Sequence, residues 1–211
     1  MVLDSGRLWE AGAGDDMQDF AMGLAAGLVG WTFLEYVIHA WLGHLPKGKI
    51  LVSREHLHHH ADITYFSSLA TKLRGAVPVL GLLLAVAVGV GGWSLGGGFV
   101  LAVAIGWSIY EWLHEAIHVS GPRGPYTRWA ARHHLHHHFS KPGRNHGVTT
   151  PLWDILLGTY EGSPQVRVPA KLVTALPWLD HGLQASTSPL YLADYVIAGR
   201  GATSDSGQAA K

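Results

Sequence analysis

The 211-residue chain contains no cysteine. That absence excludes a disulfide scaffold, thiolate-ligated haem, cysteine-bound iron–sulfur clusters and thiolate zinc sites. Charge is scarce as well: Asp, Glu, Lys and Arg make up 14% of the residues, about half the usual ~25%. The 15 basic and 15 acidic side chains balance, so no net field draws in a polyanion, and nucleic acid is not an expected partner. With 48% apolar residues, the composition also argues against disorder and coiled coil. There is no P-loop and no G-x-G-x-x-G in a strand–helix context, so no nucleotide site is expected. What is abundant is histidine, at 15 residues as frequent as Lys and Arg together. An apolar, histidine-rich, cysteine-free chain points to a membrane and to imidazole-bound metal.

Three apolar stretches carry the membrane reading. They run over residues 20–45, 76–92 and 97–117. A spanning helix needs ~20 residues; the first and third stretches satisfy this. The second is shorter, with Pro78 where a helix could start. Residues 1–19 read as a short acidic tail with Asp4, Glu10, Asp15, Asp16 and Asp19 against a single Arg7. They do not read as a cleavable signal peptide.

Lys and Arg set the orientation. The tail has one, the GGWSLGGG turn has none, and segment 46–75 has Lys47, Lys49, Arg54, Lys72 and Arg74. Nine more follow residue 118. The N-terminus and the turn are therefore expected outside, with segments 46–75 and 119–211 on the cytoplasmic side. The expected architecture is all-α: an integral-membrane stem of about three spans under a cytosolic helical cap. Residues 163–198, with four prolines among apolar residues, read as a segment on the membrane face, and 199–211 as a disordered tail.

The histidines fall into four groups. His39 and His44 are spaced H-x4-H, His56, His59 and His60 H-x2-HH, His114 and His118 H-x3-H, and His134, His137 and His138 again H-x2-HH. On an α-helix, positions i, i+3 and i+4 share a face. Each H-x2-HH group is thus expected to aim three imidazoles one way, and the H-x3-H pair two. H-x4-H fits a regular helix poorly, so the helix is expected to end near Gly43 and Pro46 with His44 folding back. The second triad admits two registers, His134/His137/His138 or His133/His136/His137; the repeat of the HLHHH string favours the first. Ten imidazoles exceed the four ligands of one structural zinc, and two ions with about five positions each is the natural count. His181 is expected to be an ordinary surface histidine.

Carboxylates flank these groups. Glu35 lies four residues before His39, and Glu111 and Glu115 lie three before His114 and His118. They are expected to hold imidazole N–H groups.

The ordered set of spacings, followed by NHGVTTPLWDILLGTY at 145–160, resembles the fatty acid hydroxylase / sterol desaturase superfamily over about residues 30–162. These are integral-membrane di-iron oxidoreductases. The resemblance implies a metal centre at the junction of stem and cap, with His39, His44, His56, His59, His60, His114, His118, His134, His137 and His138 as ligands of two iron ions. Zinc could stand in for iron in a purified form. It also implies that the 145–160 segment closes the cap, with Asn145 and Asp154 as supporting groups. Two departures are visible: a short acidic tail stands where many members have another span, and His146 stands where an aromatic residue is common. No haem-binding HPGG motif occurs, so no fused cytochrome b5 domain is expected.

The reaction implied is O2-dependent hydroxylation of an unactivated C–H bond in a lipid, on a fatty acyl or sphingolipid-like chain drawn from the bilayer. Sterol or lipid desaturation and carotenoid hydroxylation are the alternatives within the superfamily. With no nucleotide site, electrons must come from a separate donor, a ferredoxin or a cytochrome b5-type protein with its reductase. A membrane metal carrier, a bis-histidine haem carrier and a zinc hydrolase are the rivals from other classes. Histidine at helical spacing distinguishes this chain from the irregular tracts of carriers. Only His39 and His114 could face a haem within spans, and ten imidazoles overshoot a hydrolytic zinc site.

Overall fold

Proline is absent from residues 5–36, which are rich in Ala, Leu, Met and Gly, and they form one helix, α1, Ser5–Tyr36. The computed structural model describes residues 5–162, 165–180 and 193–198. From Ser5 onward the acidic segment is the first part of α1, with no proline to interrupt it. His181 and the tail after 198 lie outside the described residues.

The chain then winds into a π-helix, Val37–His44. After a turn in which Lys47 and Gly48 take positive φ, α2 follows, Leu51–Ala61. Helix α3 spans Leu69–Val119 and is interrupted at Gly92, whose φ of 78° and ψ of −178° suit glycine alone. Its start is set by Ser68, whose hydroxyl caps Thr71 N–H at 3.2 Å, not by Pro78, which sits inside the helix. At Gly92 the chain doubles back: Gly96 lies against the backbone of Val88. The limbs 69–91 and 93–119 therefore run side by side, and Lys72 near one end is ion-paired with Glu111 near the other. The glycine run expected as a turn is mostly helical, because one left-handed glycine suffices to reverse the chain.

Helix α1 packs into this hairpin through small residues. A Cβ on Gly23 or Gly27 would collide with the carbonyl oxygens of Leu95 and Phe99, and one on Gly98 with that of Phe20. Such close backbone approach is how helices associate in lipid, where apolar burial gives no net drive. The long helices α1, with the π-helix, and α3 are long and apolar enough to cross a membrane. The outer faces of α3 expose Val77, Val79, Leu82, Val86, Val90, Leu101, Ile105, Ile109 and Trp112. In water that surface would be unfavourable; in hydrocarbon it is matched.

At the other end, α4, Pro125–Phe139, and the short α5, Leu152–Leu156, complete a polar head. The chain is predominantly helical but not wholly so. The described residues of segment 163–198 include strands β1, Val166–Pro169, and β2, Tyr195–Ala198, paired in parallel with Val166 opposite Tyr195. Val166 and Val168 are buried with Val173, Leu176 and Leu179 against Ala130, Ala131 and Leu135 of α4 and Leu113 and Ile117 of α3. Arg128 of α4 fixes β2 by two hydrogen bonds to Asp194, at 2.5 and 2.8 Å. The alternation of buried and exposed residues in VRVP is a strand signal too short to stand out among prolines.

Candidate metal centre

The ten histidines meet in two groups. His39, His44, His56, His60 and His137 form one, and His59, His114, His118, His134 and His138 the other; within each group the ligand-capable nitrogens lie within 4.8 Å of one another. We refer to them as site A and site B.

The π-helix assembles half of site A. Its turns are closed by i→i+5 bonds, so residue i+5 stands above residue i as i+4 does in an α-helix. His39 and His44 therefore share a face, their rings stacked at 5.8 Å. The expected fold-back of His44 does not occur; the wider turn makes it unnecessary. Gly43 lies inside this segment because a Cβ there would meet the His56 ring at 2.8 Å. The Ser53 hydroxyl donates to the Gly43 carbonyl at 2.7 Å and ties α2 to the π-helix.

Neither H-x2-HH group aims three rings one way. In α2, His56 and His60 enter site A while His59 enters site B; in α4, His134 and His138 enter site B while His137 enters site A. The i, i+4 pair is about 40° apart around the helix, and i+3 lies about 60° to its other side. That divergence feeds two neighbouring centres from one helix. The register of the second triad is resolved as His134/His137/His138. His133 instead pairs with Asp154 at 3.2 Å, and His136 lies 3.4 Å from Glu161.

In site A the facing nitrogens of His39 and His137 are bare. His39 Nδ1 donates to the carbonyl of His146 at 2.5 Å and His137 Nδ1 to that of Arg144 at 2.7 Å. Each ring then has a lone pair on Nε2, and these two Nε2 atoms are 3.0 Å apart. No proton is available to bridge them, so the contact calls for a shared cation. In site B, His59 Nδ1 likewise donates to the Tyr65 carbonyl at 2.8 Å, and its Nε2 lies 3.2 Å from that of His118. Other Nε2 pairs in the two sites are separated by 2.9 to 3.2 Å. Such spacing matches neighbouring ligands on one ion with bonds of ~2.0–2.1 Å. Burial keeps the rings neutral: it lowers the pKa of His56, His59, His134, His137 and His138, and pushes that of His60 down to about 3. A neutral imidazole is the form that binds metal.

The carboxylates act differently from expectation. Glu35 holds no imidazole. Its carboxylate accepts from Val148 N at 2.5 Å, Thr149 N at 2.8 Å and the Thr149 hydroxyl, and so pins a loop. Glu111 holds no imidazole either; it pairs with Lys72 and accepts from Trp107 Nε1 at 3.1 Å. Glu115 is exposed. For Glu35 and Glu111 the spacing gave proximity, but the carboxylate reached other donors. Asp154 is fully buried and accepts four hydrogen bonds: His146 N at 2.8 Å, Gly147 N at 2.7 Å, the Thr159 hydroxyl at 2.7 Å and His133 Nε2 at 3.2 Å. Asn145, in the left-handed region at φ 57°, joins the same loop to Glu161 through both ends of its amide, at 2.9 and 2.7 Å. The loop 144–149 is thus locked by Glu35, Asn145 and Asp154, and its carbonyls orient His39 and His137. These carbonyls, and that of Tyr65, escaped the sequence reading because every residue carries one. His146 serves through its carbonyl; its ring lies outside both groups.

A cavity of about 330 Å³ opens beside the sites. It runs between the π-helix, the α2–α3 connection and both limbs of α3. His39, His56, His59 and His114 line it together with mainly apolar side chains, among them Leu34, Ile38, Phe66, Val79, Leu80 and Val103.

The fatty acid hydroxylase family profile matches residues 24–159, which include both sites. The chain belongs to that family. Similar sequences include the dihydroceramide fatty acyl 2-hydroxylases FAH1 and FAH2 of Arabidopsis thaliana. FAH1 is 28% identical over 69% of this chain and 62% of its own length, and FAH2 30% identical over 66% and 60%. The fatty acid 2-hydroxylase of Mus musculus is 30% identical over 63% of this chain and 38% of its own length. The chain thus spans roughly two fifths to three fifths of the curated relatives it matches. A solved structure of full-length Scs7p, in which only the hydroxylase domain is visible, superposes with a TM-score of 0.56 at 23% identity, covering 68% of this chain and 56% of that one. It shares this chain's fold.

Proposed function

We propose that this hydroxylase-family protein is a membrane-bound di-iron oxygenase that places a hydroxyl group on a lipid acyl chain. The observation that carries the reading is the pair of five-histidine sites, with two bare nitrogens facing one another in site A, on the wall of an apolar cavity. In the overall reaction one atom of O2 enters the C–H bond and the other leaves as water, with two electrons and two protons supplied from outside.

The five histidines of site A and the five of site B would each hold one ion, and the ions would supply the activation of O2. The chain's own residues do the rest. The carbonyls of His146, Arg144 and Tyr65 fix the rings and their tautomers. The apolar wall excludes water and accepts an alkyl chain from the bilayer. A ferredoxin or cytochrome b5-type donor is the proposed source of the electrons. The Gly92 reversal supports a reading of three crossings, by α1 with the π-helix and by the two limbs of α3. The concentration of Lys and Arg in 46–75 and after 118 supports an outer N-terminus and a cytoplasmic head.

The test is lipid mass spectrometry of cells with and without the protein, joined to metal analysis of the purified chain. Lipids heavier by one oxygen, two irons per chain and no Soret band support the proposal. A loss of two hydrogens instead identifies a desaturase. One zinc per chain with no lipid change, or a haem spectrum, overturns the reading. His118→Ala is expected to abolish the lipid change and lower the metal content.

A further inference from the structure

Among the described residues lining the cavity, Lys72 is the only lysine or arginine. Its ammonium is ion-paired with Glu111, and both side chains are about three-quarters buried. The Glu111 carboxylate is engaged at both oxygens, Oε2 by Lys72 and Oε1 by Trp107 Nε1. The other carboxylates on the wall are also committed, Glu35 to the 148–149 backbone and Glu55 to Tyr65 and Ser67 at 2.7 and 2.6 Å. An ammonium has three N–H donors, and Lys72 spends one on Glu111, leaving two. Trp31, also on the wall, is nearly buried and its indole N–H has no partner. The donors left over on the wall are thus two N–H groups of Lys72 and the Trp31 indole, beside a pair with no net charge.

We infer that Lys72 and Glu111 form the specificity element for the lipid's polar end, with Lys72 donating to a neutral acyl carbonyl oxygen and Glu111 cancelling the charge that would otherwise favour a free carboxylate. This rests on the lipid reading of the cavity above. A neutral amide or ester carbonyl needs a donor and no counter-charge. A carboxylate would add an uncompensated negative charge to a low-dielectric pocket, which is costly. Glu111 stands one helical turn before His114 of site B, a rise of about 4.5 Å. A carbonyl held at Lys72 thus sets the carbons next to it, rather than the chain's far end, beside the histidines.

The test is calorimetric binding of N-methyldodecanamide and of dodecanoate at pH 8 to the purified full chain in detergent. The native protein is expected to prefer the amide. Lys72→Met should weaken amide binding roughly tenfold, the worth of one hydrogen bond to a charged group, and Lys72→Arg should restore it. Glu111→Gln, nearly isosteric, should turn the preference toward dodecanoate. Tighter binding of dodecanoate by the native chain, or a preference unmoved in both Lys72→Met and Glu111→Gln at unchanged melting temperature, overturns the inference. Because binding is read without turnover, the outcomes separate. A pair-dependent preference with no oxygenated lipid would sink the reaction and keep the pair; oxygenated lipid with an indifferent pair would do the reverse.

Discussion

Replacing Asp154 by asparagine changes one oxygen into an amide group at almost constant volume. Oδ1 now accepts from His146 N and the Thr159 hydroxyl, and Oδ2 from Gly147 N and His133 Nε2. Whichever way the amide turns, one buried backbone N–H, that of His146 or that of Gly147, loses its acceptor and faces an NH2 group, whereas the Thr159 hydroxyl or the His133 ring can turn to accept from it. An orphaned buried donor costs about 1–3 kcal/mol, a sizeable part of a typical stability of ~5–15 kcal/mol. Chemistry should suffer selectively as well. The loop that Asp154 holds supplies the carbonyls of Arg144 and His146, which orient His137 and His39, and both rings belong to site A. Disturbing such a supporting bond typically costs 10–100-fold in metal affinity. Site B takes its observed carbonyl support from Tyr65, far from this loop in sequence. Asp154→Asn is therefore expected to melt well below the native protein and to lose one ion of two on dialysis against a weak chelator. Loss of both ions together, or an unchanged melting curve with both retained, would refute the assignment of the loop to site A.

Two further expectations follow from the same geometry. Gly43→Ala places a methyl group against the His56 ring, 2.8 Å away, and should weaken site A about tenfold or more while leaving the melting of the metal-free chain within ~1–2 kcal/mol, read by metal titration and thermal melting; unaltered affinity at site A would show that the ring has room to move. The pH dependence has a definite sign. Burial holds His60 at about 3 and lowers His56, His59, His134, His137 and His138, whereas the unfolded value is ~6.5. Below that value the unfolded chain binds protons that the folded chain refuses, so stability drops by up to ~1.4 kcal/mol per pH unit for each such ring. The metal-free protein should melt at constant temperature above pH 7 and progressively lower as pH falls from 6.5 toward 3, and a melting temperature that rose on acidification would contradict the neutral assignment.

Much of this arrangement was legible in residue types and spacings, and the rest was not for identifiable reasons. The apolar runs and the histidine strings are signals of composition and period, which a sequence carries openly. The π-helix is not. Its signature is one extra residue between His39 and His44, and the same extra residue fits a helix that simply ends. The division of each H-x2-HH group between two centres also lies beyond pattern reading, because 40° and 60° count alike as one face until a second helix fixes what stands opposite. Glu111 shows the limit of spacing as an argument. It stands where a carboxylate could reach His114, yet a lysine 39 residues earlier arrives beside it once Gly92 reverses the chain. β1 and β2 were hidden for a similar reason. Their partners lie some 30 residues apart, and neither strand is long enough to declare itself.

The sharing of α2 and α4 between the two centres bears on how such a protein is loaded and tuned. Because each rod contributes to both positions, the interval between the ions is measured by the rise of a helix and not by the slack of a loop. Any drift of α2 or α4 is felt at both sites together, while each site keeps its own carbonyl support and can be emptied without the other.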